Sequence, residues 1–289
     1  MRAELILDCG NEHGEGVLWN AMDGRVWWTD IHGKALWAFD PLTQESERFP
    51  APDRICCFAP RRDGTVVAAF ADGFAFFNPQ SGRREDIAPF ESDLPQTRLN
   101  DGRTDRQGRF VAGGMDENEL KPVSSVWRLD ADLKVTKLFD SVRCANSTCF
   151  SPDGRTMYFA DSPEGEIVAY DYDPETGSVG AKRRFASLPK DRGVPDGSCT
   201  DAEGFVWNAV WEGYRVDRFA PDGRLDRSIE VPVVKPTCVA FGGPDLDTLF
   251  ITTSRLGSAP ELLEREPHSG GLYAVQPGVR GLVDPPFAG

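Results

Sequence analysis

Asp153-Gly154-Arg155-Thr156-Met157-Tyr158-Phe159-Ala160-Asp161 joins a turn dipeptide to a short apolar segment, and this pattern recurs along the whole chain of 289 residues. Asp-Gly is typical of the tight turn between two antiparallel strands, and aromatic residues favour strands. Five further copies begin at Asp23, Asp63, Gln107, Glu203 and Asp245. Successive copies start 40, 44, 46, 50 and 42 residues apart. A repeat of about 40 to 50 residues built from short strands is typical of β-propeller blades.

Six such units fill the chain and predict an all-β fold, a six-bladed β-propeller in which each blade is a four-stranded antiparallel sheet. An apolar segment precedes each copy and is expected to be the innermost strand of its blade. Glu4-Leu5-Ile6-Leu7 precedes the first unit, whereas the sixth unit has no clear fourth strand after Val275. We therefore expect residues near 4–8 to supply that strand and to close the ring. Every Pro/Gly cluster fits a loop between strands, which predicts a single domain over residues 1–289.

The composition limits which kinds of binding partner and which cellular location are expected. A formal net charge of −14 argues against sequence-independent binding to nucleic acid, which requires a Lys/Arg surface. Seven scattered cysteines without a C-x-x-C pair indicate reduced thiols, most of them buried. The chain contains no apolar run of about 18 residues and no signal-like N-terminus. We expect a cytoplasmic protein, a monomer or weak homo-oligomer, without a membrane or nucleic-acid partner.

Polar residues recur where the innermost strands are expected to begin. In a propeller these positions meet at one mouth of the central channel, and four units place carboxylates or carboxamides there: Glu15, Asn100-Asp101, Asn146 and Asp196. Crowded carboxylates repel each other unless a cation compensates them. Oxygen ligands without Cys or His are typical of a hard divalent cation. Each residue alone also fits an ordinary turn beside glycine, but their recurrence at equivalent positions favours a central metal site.

Pro195-Asp196-Gly197 has two interpretations. Pro-Asp-Gly is an ordinary turn sequence, with Gly197 supplying a conformation that most residues cannot adopt. Alternatively, the proline and the glycine hold a carboxylate that carries out chemistry. Its place among the other channel-mouth residues favours the second interpretation without excluding the turn.

Other site types have little support. The chain lacks G-x-S-x-G, H-E-x-x-H, Walker A and G-x-G-x-x-G motifs. His13 could line the mouth because it precedes Glu15 by two residues, but a surface-loop histidine is the expectation. Trp207 and Trp211 are expected to pack between blades and not to form a ligand platform.

The chain resembles the gluconolactonase/regucalcin family, also called the senescence marker protein family, whose members are six-bladed propellers. The resemblance covers residues 12 to 275 and keeps order and spacing. It is carried by the following segments: Gly14-Glu15-Gly16-Val17-Leu18-Trp19, Arg98-Leu99-Asn100-Asp101-Gly102, Asn146-Ser147, Phe150-Ser151-Pro152-Asp153-Gly154, Pro195-Asp196-Gly197, Phe241-Gly242-Gly243-Pro244-Asp245 and Leu249-Phe250-Ile251-Thr252-Thr253.

The resemblance implies one divalent cation, whether Ca, Zn, Mn, Mg or Fe, bound by Glu15, Asn146 and Asp196. It also implies that Arg98 and Asn100 contact a sugar lactone. Glu117 is a further candidate substrate contact, although the segment Met115-Asp116-Glu117-Asn118 departs slightly from the family pattern. Asp101 is expected to orient its loop and not to touch the metal.

The implied activity is metal-dependent hydrolysis of an aldonolactone to the aldonic acid, in bacterial-type carbohydrate catabolism. In this hypothesis the metal is a Lewis acid and Asp196 is the general base on the attacking water. Alternatives are another lactone or an organophosphate ester as substrate, or a non-catalytic calcium-binding regulatory propeller. The loops Met115 to Val123 and Leu188 to Val194 are expected to shape the pocket. Arg98 and Arg192 can both face it, in which case a lactone carrying an acidic group would fit.

Overall fold

The computed structural model describes residues 1–189 and 191–289, and its strands form four-stranded antiparallel sheets arranged as propeller blades. Lys190, which belongs to the predicted pocket loop at residues 188–194, lies outside the described residues. The first thirteen strands are β1 (Glu4–Leu7), β2 (Gly14–Asn20), β3 (Arg25–Asp30), β4 (Ala35–Phe39), β5 (Ser46–Pro50), β6 (Ile55–Pro60), β7 (Val66–Phe70), β8 (Gly73–Asn78), β9 (Arg83–Pro89), β10 (Thr97–Thr104), β11 (Phe110–Asp116), β12 (Ser124–Leu129) and β13 (Val135–Val142).

The second half of the chain continues the same arrangement. Its strands are β14 (Ala145–Phe150), β15 (Thr156–Asp161), β16 (Glu166–Tyr172), β17 (Val179–Ser187), β18 (Val194–Thr200), β19 (Val206–Trp211), β20 (Arg215–Phe219), β21 (Leu225–Glu230), β22 (Pro236–Gly242), β23 (Thr248–Thr253) and β24 (Leu272–Val275). A 3-10 helix at Ser162–Glu164 and a short helix α1 at Pro260–Arg265 interrupt them. Among the helices in the described ranges, none is long and apolar enough to cross a membrane.

From β2 onward, each set of four consecutive strands forms one blade, so blade 1 is β2–β5 and blade 5 is β18–β21. The predicted six-bladed, all-β fold is confirmed. Asp-Gly turns join the inner two strands of a blade, as in blade 4. There Gly154 adopts the left-handed φ of 69°, and the Asp153 carboxylate accepts the amide hydrogen of Arg155. A residue other than glycine would be strained at such a position.

The N-terminal strand closes the ring. Blade 6 contains β22, β23 and β24, and β1 adds to it as the outermost strand, paired antiparallel with β24 through Leu5 opposite Tyr273. The expectation that residues near 4–8 supply the missing strand is confirmed. Without β1, the outer edge of β24 would be unpaired. The N-terminal strand therefore joins the start of the chain to the last blade and holds the ring closed.

Apolar packing lies between the blades. In the part of the chain that the structure describes, the buried apolar side chains form six clusters, each lying mainly between two neighbouring blades. The cluster that joins blades 6 and 1 contains Val17 and Trp28 on one side and Cys238 and Phe250 on the other. The innermost strands therefore pack around a narrow central channel, and their separation is set by these clusters.

Each innermost strand contains an irregularity at the same place. The pairing of β2, β6, β10, β14, β18 and β22 with the next strand shifts register near the start of the strand. Bulges of this kind turn side chains away from the regular alternation. At the far ends of these strands the C-terminal segment crosses the channel, where Arg103 pairs with Asp284 at 2.6 Å and Thr104 donates to the Pro285 carbonyl.

We predict that removing residues 1–8 lowers the melting temperature by more than about 5 °C, because blade 6 loses its outer strand and the buried Ala3 contact. Differential scanning calorimetry measures the shift. Glu4→Ala is the matched control, since the exposed Glu4 side chain leaves the backbone ladder intact when truncated. An unchanged melting temperature after the deletion would contradict the closure role.

Candidate active site

A cavity of about 430 Å³ opens at the end of the channel where the innermost strands begin. It brings together five of the six residues predicted from the sequence: Glu15, Arg98, Asn100, Asn146 and Asp196. They come from blades 1, 3, 4 and 5, so the convergence exists only in the closed ring. The sixth residue, Glu117, does not line this cavity but bonds to Arg98 at its edge.

The bulges of the innermost strands position the floor of the cavity. Glu15 and Asn146 precede the register shifts of β2 and β14, and Asp196 lies within that of β18. The turn interpretation of Pro195-Asp196-Gly197 is therefore wrong, because all three residues belong to a strand. Gly197 has no left-handed φ, but a Cβ built on it would lie 2.5 Å from the Cys238 sulfur. Glycine is required there by the close approach of blade 6.

Two carboxylates are buried side by side on the floor. Glu15 is 7% exposed and Asp196 is 5% exposed, and their carboxyl groups are in hydrogen-bonding contact. Burial, with the neighbouring Asp101 carboxylate, raises the pKa of Glu15 to about 8. Burial, with the charge of Glu15, raises the pKa of Asp196 well above its usual value. Without a compensating cation, this pair therefore retains a proton at neutral pH.

The donor set of this floor fits a hard divalent cation. Two carboxylates supply the charge, and the Asn146 amide, whose oxygen lies 3.5 Å from Asn100 Nδ2, lines the same cavity and offers a neutral third ligand. Within residues 1–189 and 191–289, no three His, Cys, Asp or Glu side chains form a metal-binding group. A metal at this position thus needs the amide, together with water or substrate oxygens. The residues that could hold it are Glu15, Asn146 and Asp196.

Two serines to which the sequence analysis assigned no role orient these ligands. Asn146 donates through Nδ2 to the Ser162 hydroxyl at 2.8 Å, and Ser162 donates to the Pro195 carbonyl at 2.7 Å. These two hydrogen bonds hold the Asn146 amide in one orientation, with Nδ2 toward Ser162 and the oxygen on the other side. Ser147, at a left-handed φ of 58°, donates to the Asp196 carbonyl at 2.6 Å. Both serines link blade 4 to blade 5 by hydrogen bonds. These contacts form only in the folded ring, so the sequence alone does not reveal them.

Arg98 supplies a positive charge to the cavity wall. Its Nε donates to Glu117 at 2.8 Å, and its Nη1 donates to Asn100 Oδ1 at 2.6 Å. Its Nη2 has no hydrogen-bond partner in the described residues. Arg54 also donates to Glu117, at 2.7 Å. Burial opposes ionisation of Glu117, but the bonds from Arg54 and the charge of Arg98 outweigh it, so its pKa lies below the usual value.

Asn100 and Asp101 link blade 3 to blade 4. Asn100 accepts from Arg98 and donates through Nδ2 to the Ala145 carbonyl at 2.9 Å, so both ends of its amide are engaged with the protein. The Asp101 carboxylate accepts the amide hydrogen of Thr148 at 2.8 Å. This bond agrees with the expectation that Asp101 orients the backbone. The substrate-contact roles of Asn100 and Glu117 stay predictions.

Two expectations about the surroundings of the cavity were wrong, and the possible place of Arg192 in the cavity is not found. His13 is not a surface-loop residue: it is 7% exposed and lines the cavity. Trp211 also lines the cavity, at the end of β19, whereas Trp207 is fully buried between blades as expected. The Arg192 side chain is exposed and is not among the described residues that line this cavity. The sequence signals missed the first two because both side chains lie at strand ends.

Comparisons with known proteins agree with the fold and identify relatives. The model of the family described as "SMP-30/Gluconolactonase/LRE-like region" matches residues 13–255. The chain is 40% identical to an L-arabinolactonase of Azospirillum brasilense, over all of this chain and 96% of that protein. It is 34% identical to a regucalcin of Xenopus laevis, over all of this chain and 99% of the relative. A crystal structure of the calcium-binding protein regucalcin from Agrobacterium tumefaciens superposes with a TM-score of 0.94 at 31% identity, covering 99% of this chain and 97% of that one.

We predict that the metal-free protein loses stability between about pH 4.5 and pH 8. The folded pKa of Glu15, about 8, exceeds its ordinary value of 4.5, so the folded state binds more protons than the unfolded state in this range. Stability therefore falls as the pH rises. Urea denaturation of chelator-treated protein at pH 5 and pH 8 measures the effect. Glu15→Gln removes this titrating group and should narrow the difference; an equal difference in both proteins contradicts the assignment.

We also predict that Ser162→Ala lowers the affinity for a divalent cation about tenfold, since residues that orient metal ligands typically contribute 10- to 100-fold. Calorimetric titration of chelator-treated protein with Mn²⁺ or Ca²⁺ measures the affinity without any turnover. Ser187→Ala, an exposed serine of the same blade, is the control. Unchanged affinity in Ser162→Ala would show that the Asn146 amide is oriented by other means.

Proposed function

The chain belongs to the SMP-30/gluconolactonase family, as its motifs predicted, and we propose that it is a lactonase that opens an aldonolactone to the aldonic acid with one bound divalent cation. The observation that carries this proposal is the floor of the cavity. Two buried carboxylates and one oriented amide lie beneath a space of about 430 Å³, with an arginine in its wall. A space of that size suits a small molecule.

The cation would be held by Glu15, Asn146 and Asp196. When bound, it would supply Lewis-acid polarisation of the lactone carbonyl and stabilise negative charge that develops on that oxygen. Oxygen ligands are compatible with Ca, Mg, Mn, Zn or Fe. The regucalcin of Agrobacterium tumefaciens is described as a calcium-binding protein, which supports calcium as the first ion to test here.

Asp196 is assigned the role of general base. Its carboxylate lies on the floor, and its backbone carbonyl accepts from Ser147 and from Asn208 Nδ2 at 2.9 Å, so the backbone that carries this side chain is held in place. It would take a proton from the attacking water as the oxygen bonds to the carbonyl carbon. The same proton is then available to the ring oxygen when the carbon–oxygen bond of the lactone breaks. Proton and electron balance is complete without a further reactant.

Arg98 is assigned to substrate binding. Two of its nitrogens are used by Glu117 and Asn100, and Nη2 remains available to the cavity among the described residues. A guanidinium held on one side and open on the other can donate to a ring hydroxyl or to an anionic substituent. Glu117 and Asn100 would fix its direction, which explains their place near the substrate without requiring direct contact.

A non-catalytic calcium-binding role is the alternative from another class. It would require the carboxylates and the amide, but it leaves unexplained why an arginine is oriented by two partners at the cavity wall. Hydrolysis of another lactone or of an organophosphate ester would use the same floor. A panel of glucono-, galactono-, xylono- and arabinono-lactones, with an aryl ester and an organophosphate, separates these possibilities after chelation and return of each metal.

We predict that Asp196→Ala lowers kcat for the best lactone at least a hundredfold, in the range that a general base contributes. Acid release followed with a pH indicator measures the rate, and thermal melts check folding. Asp222→Ala, at an exposed turn of the same blade, is the matched control and should keep wild-type turnover. Near-wild-type turnover of Asp196→Ala would overturn the assignment of the base.

A further inference from the structure

The wall formed by His13 and Trp211 has no role in the mechanism described above. Both residues line the cavity, and their rings meet edge to face with centroids 5.6 Å apart. His13 comes from the start of blade 1 and Trp211 from the end of β19 in blade 5. This wall lies next to blade 6, and blade 6 is opposite blade 3, which carries Arg98, in a six-membered ring.

Contacts with Ser254 fix which ring nitrogen of His13 carries the hydrogen. His13 Nδ1 lies 2.9 Å from the Ser254 hydroxyl oxygen, which also lies 2.9 Å from the Glu12 carbonyl and accepts the amide hydrogen of Leu256. A carbonyl cannot donate, so the single hydroxyl hydrogen of Ser254 goes to Glu12. All three contacts are then hydrogen bonds only if His13 Nδ1 donates to Ser254. The neutral ring therefore has its free lone pair on Nε2.

Nε2 of His13 has no hydrogen-bond partner in the described part of the chain. It is not among the fully buried polar atoms that lack a partner, so it is accessible from the cavity that His13 lines. It therefore opens onto the cavity as an acceptor. Two charged groups next to this wall face each other: Lys235 lies 4.9 Å from the Trp211 ring and donates to the Leu256 carbonyl at 2.7 Å, and it pairs with Glu212 at 4.0 Å. An acceptor in such a wall selects a ligand group that can donate a hydrogen.

We propose that His13 Nε2 and the Trp211 indole form a hydroxyl-binding subsite, in which His13 accepts the hydrogen of a ring hydroxyl and Trp211 covers the adjacent carbon face. This inference rests on the proposed lactonase function and adds a determinant of substrate choice. Of the neutral groups on an aldonolactone, only hydroxyls can donate to Nε2. The subsite therefore favours hydroxylated lactones over unsubstituted ones, and it holds the part of the ring that lies away from Arg98.

Three substitutions of His13 distinguish the role of its Nδ1 from the role of its Nε2. His13→Asn keeps an amide donor near Nδ1 for Ser254 but removes the acceptor at Nε2. His13→Gln reaches the Nε2 position with an amide oxygen, and His13→Phe removes both polar atoms but keeps an aromatic ring beside Trp211. With a hydroxylated lactone, His13→Asn and His13→Phe should raise KM about tenfold at nearly constant kcat, since one hydrogen bond is at stake. His13→Gln should recover most of the wild-type KM.

Two further measurements make the outcome specific. With γ-butyrolactone, which carries no hydroxyl, all three variants should match the wild type; equal KM changes for both kinds of lactone would overturn the subsite. The affinity for Ca²⁺ alone, titrated into chelator-treated protein, should be unchanged, because a change would mean that the substitutions act through Glu15. A KM in His13→Asn and His13→Phe equal to the wild type would also overturn the proposal.

Binding without turnover distinguishes failure of the subsite from failure of the proposed function. Xylitol, a polyol that cannot be hydrolysed, is titrated into Ca²⁺-saturated wild type and His13→Phe while tryptophan fluorescence is followed. Weaker binding to His13→Phe supports the subsite even if the wild type hydrolyses no lactone, in which case only the lactonase proposal fails. Equal binding to both proteins, or no binding to the wild type, overturns the subsite whatever the catalytic result.

Discussion

Two buried carboxylates lie in contact at one mouth of the channel, and the rest of the site is arranged around them. Glu15 and Asp196 come from blades 1 and 5, and only the closed ring brings them together. If both groups were ionised, two unit charges about 4 Å apart would repel by about 4 kcal/mol at an effective dielectric constant of about 20, and both would lose hydration on burial; the pair therefore keeps a proton when no cation is bound. A bound divalent cation would offset these costs, and ion binding would then be thermodynamically linked to ring closure.

The orientation of the site follows from contacts between blades and not from any single blade. Asn100 donates to blade 4, Ser147 and Ser162 donate to blade 5, and the six apolar clusters hold the blades at the distances these bonds require. Blade 4 is thus hydrogen-bonded to both of its neighbours, blade 3 and blade 5, at the floor of the cavity. Since hydrogen bonds weaken steeply with distance and angle, a small shift between blades would misorient the amide and the carboxylates together. Preorganisation of the site is a property of the ring.

The repeat in the sequence was sufficient for the fold, because a period near 45 residues and alternating apolar strands are local properties that the chain displays directly. It was also sufficient to bring the floor residues together, since equivalent repeat positions meet at the channel. The repeat does not reveal positions whose conformation or burial is set by residues of a neighbouring blade. The Pro195-Asp196-Gly197 pattern leaves a turn open, but glycine is required at position 197 by Cys238 of the next blade. The burial of His13 depends on Ser254 and Trp211, which are distant in sequence, and the role of Ser162 depends on Pro195.

The floor and the walls of the cavity are under different constraints. Floor residues lie in bulges of the innermost strands, where even a Cβ at Gly197 would collide with the neighbouring blade. Wall residues such as Met115, Trp211 and Leu256 lie at strand ends or in loops, where substitutions are tolerated more easily. The ring can therefore keep one set of reacting groups while its walls change. For this reason family membership supports the class of reaction more strongly than the choice of lactone, and selectivity has to be derived from the wall residues of this chain.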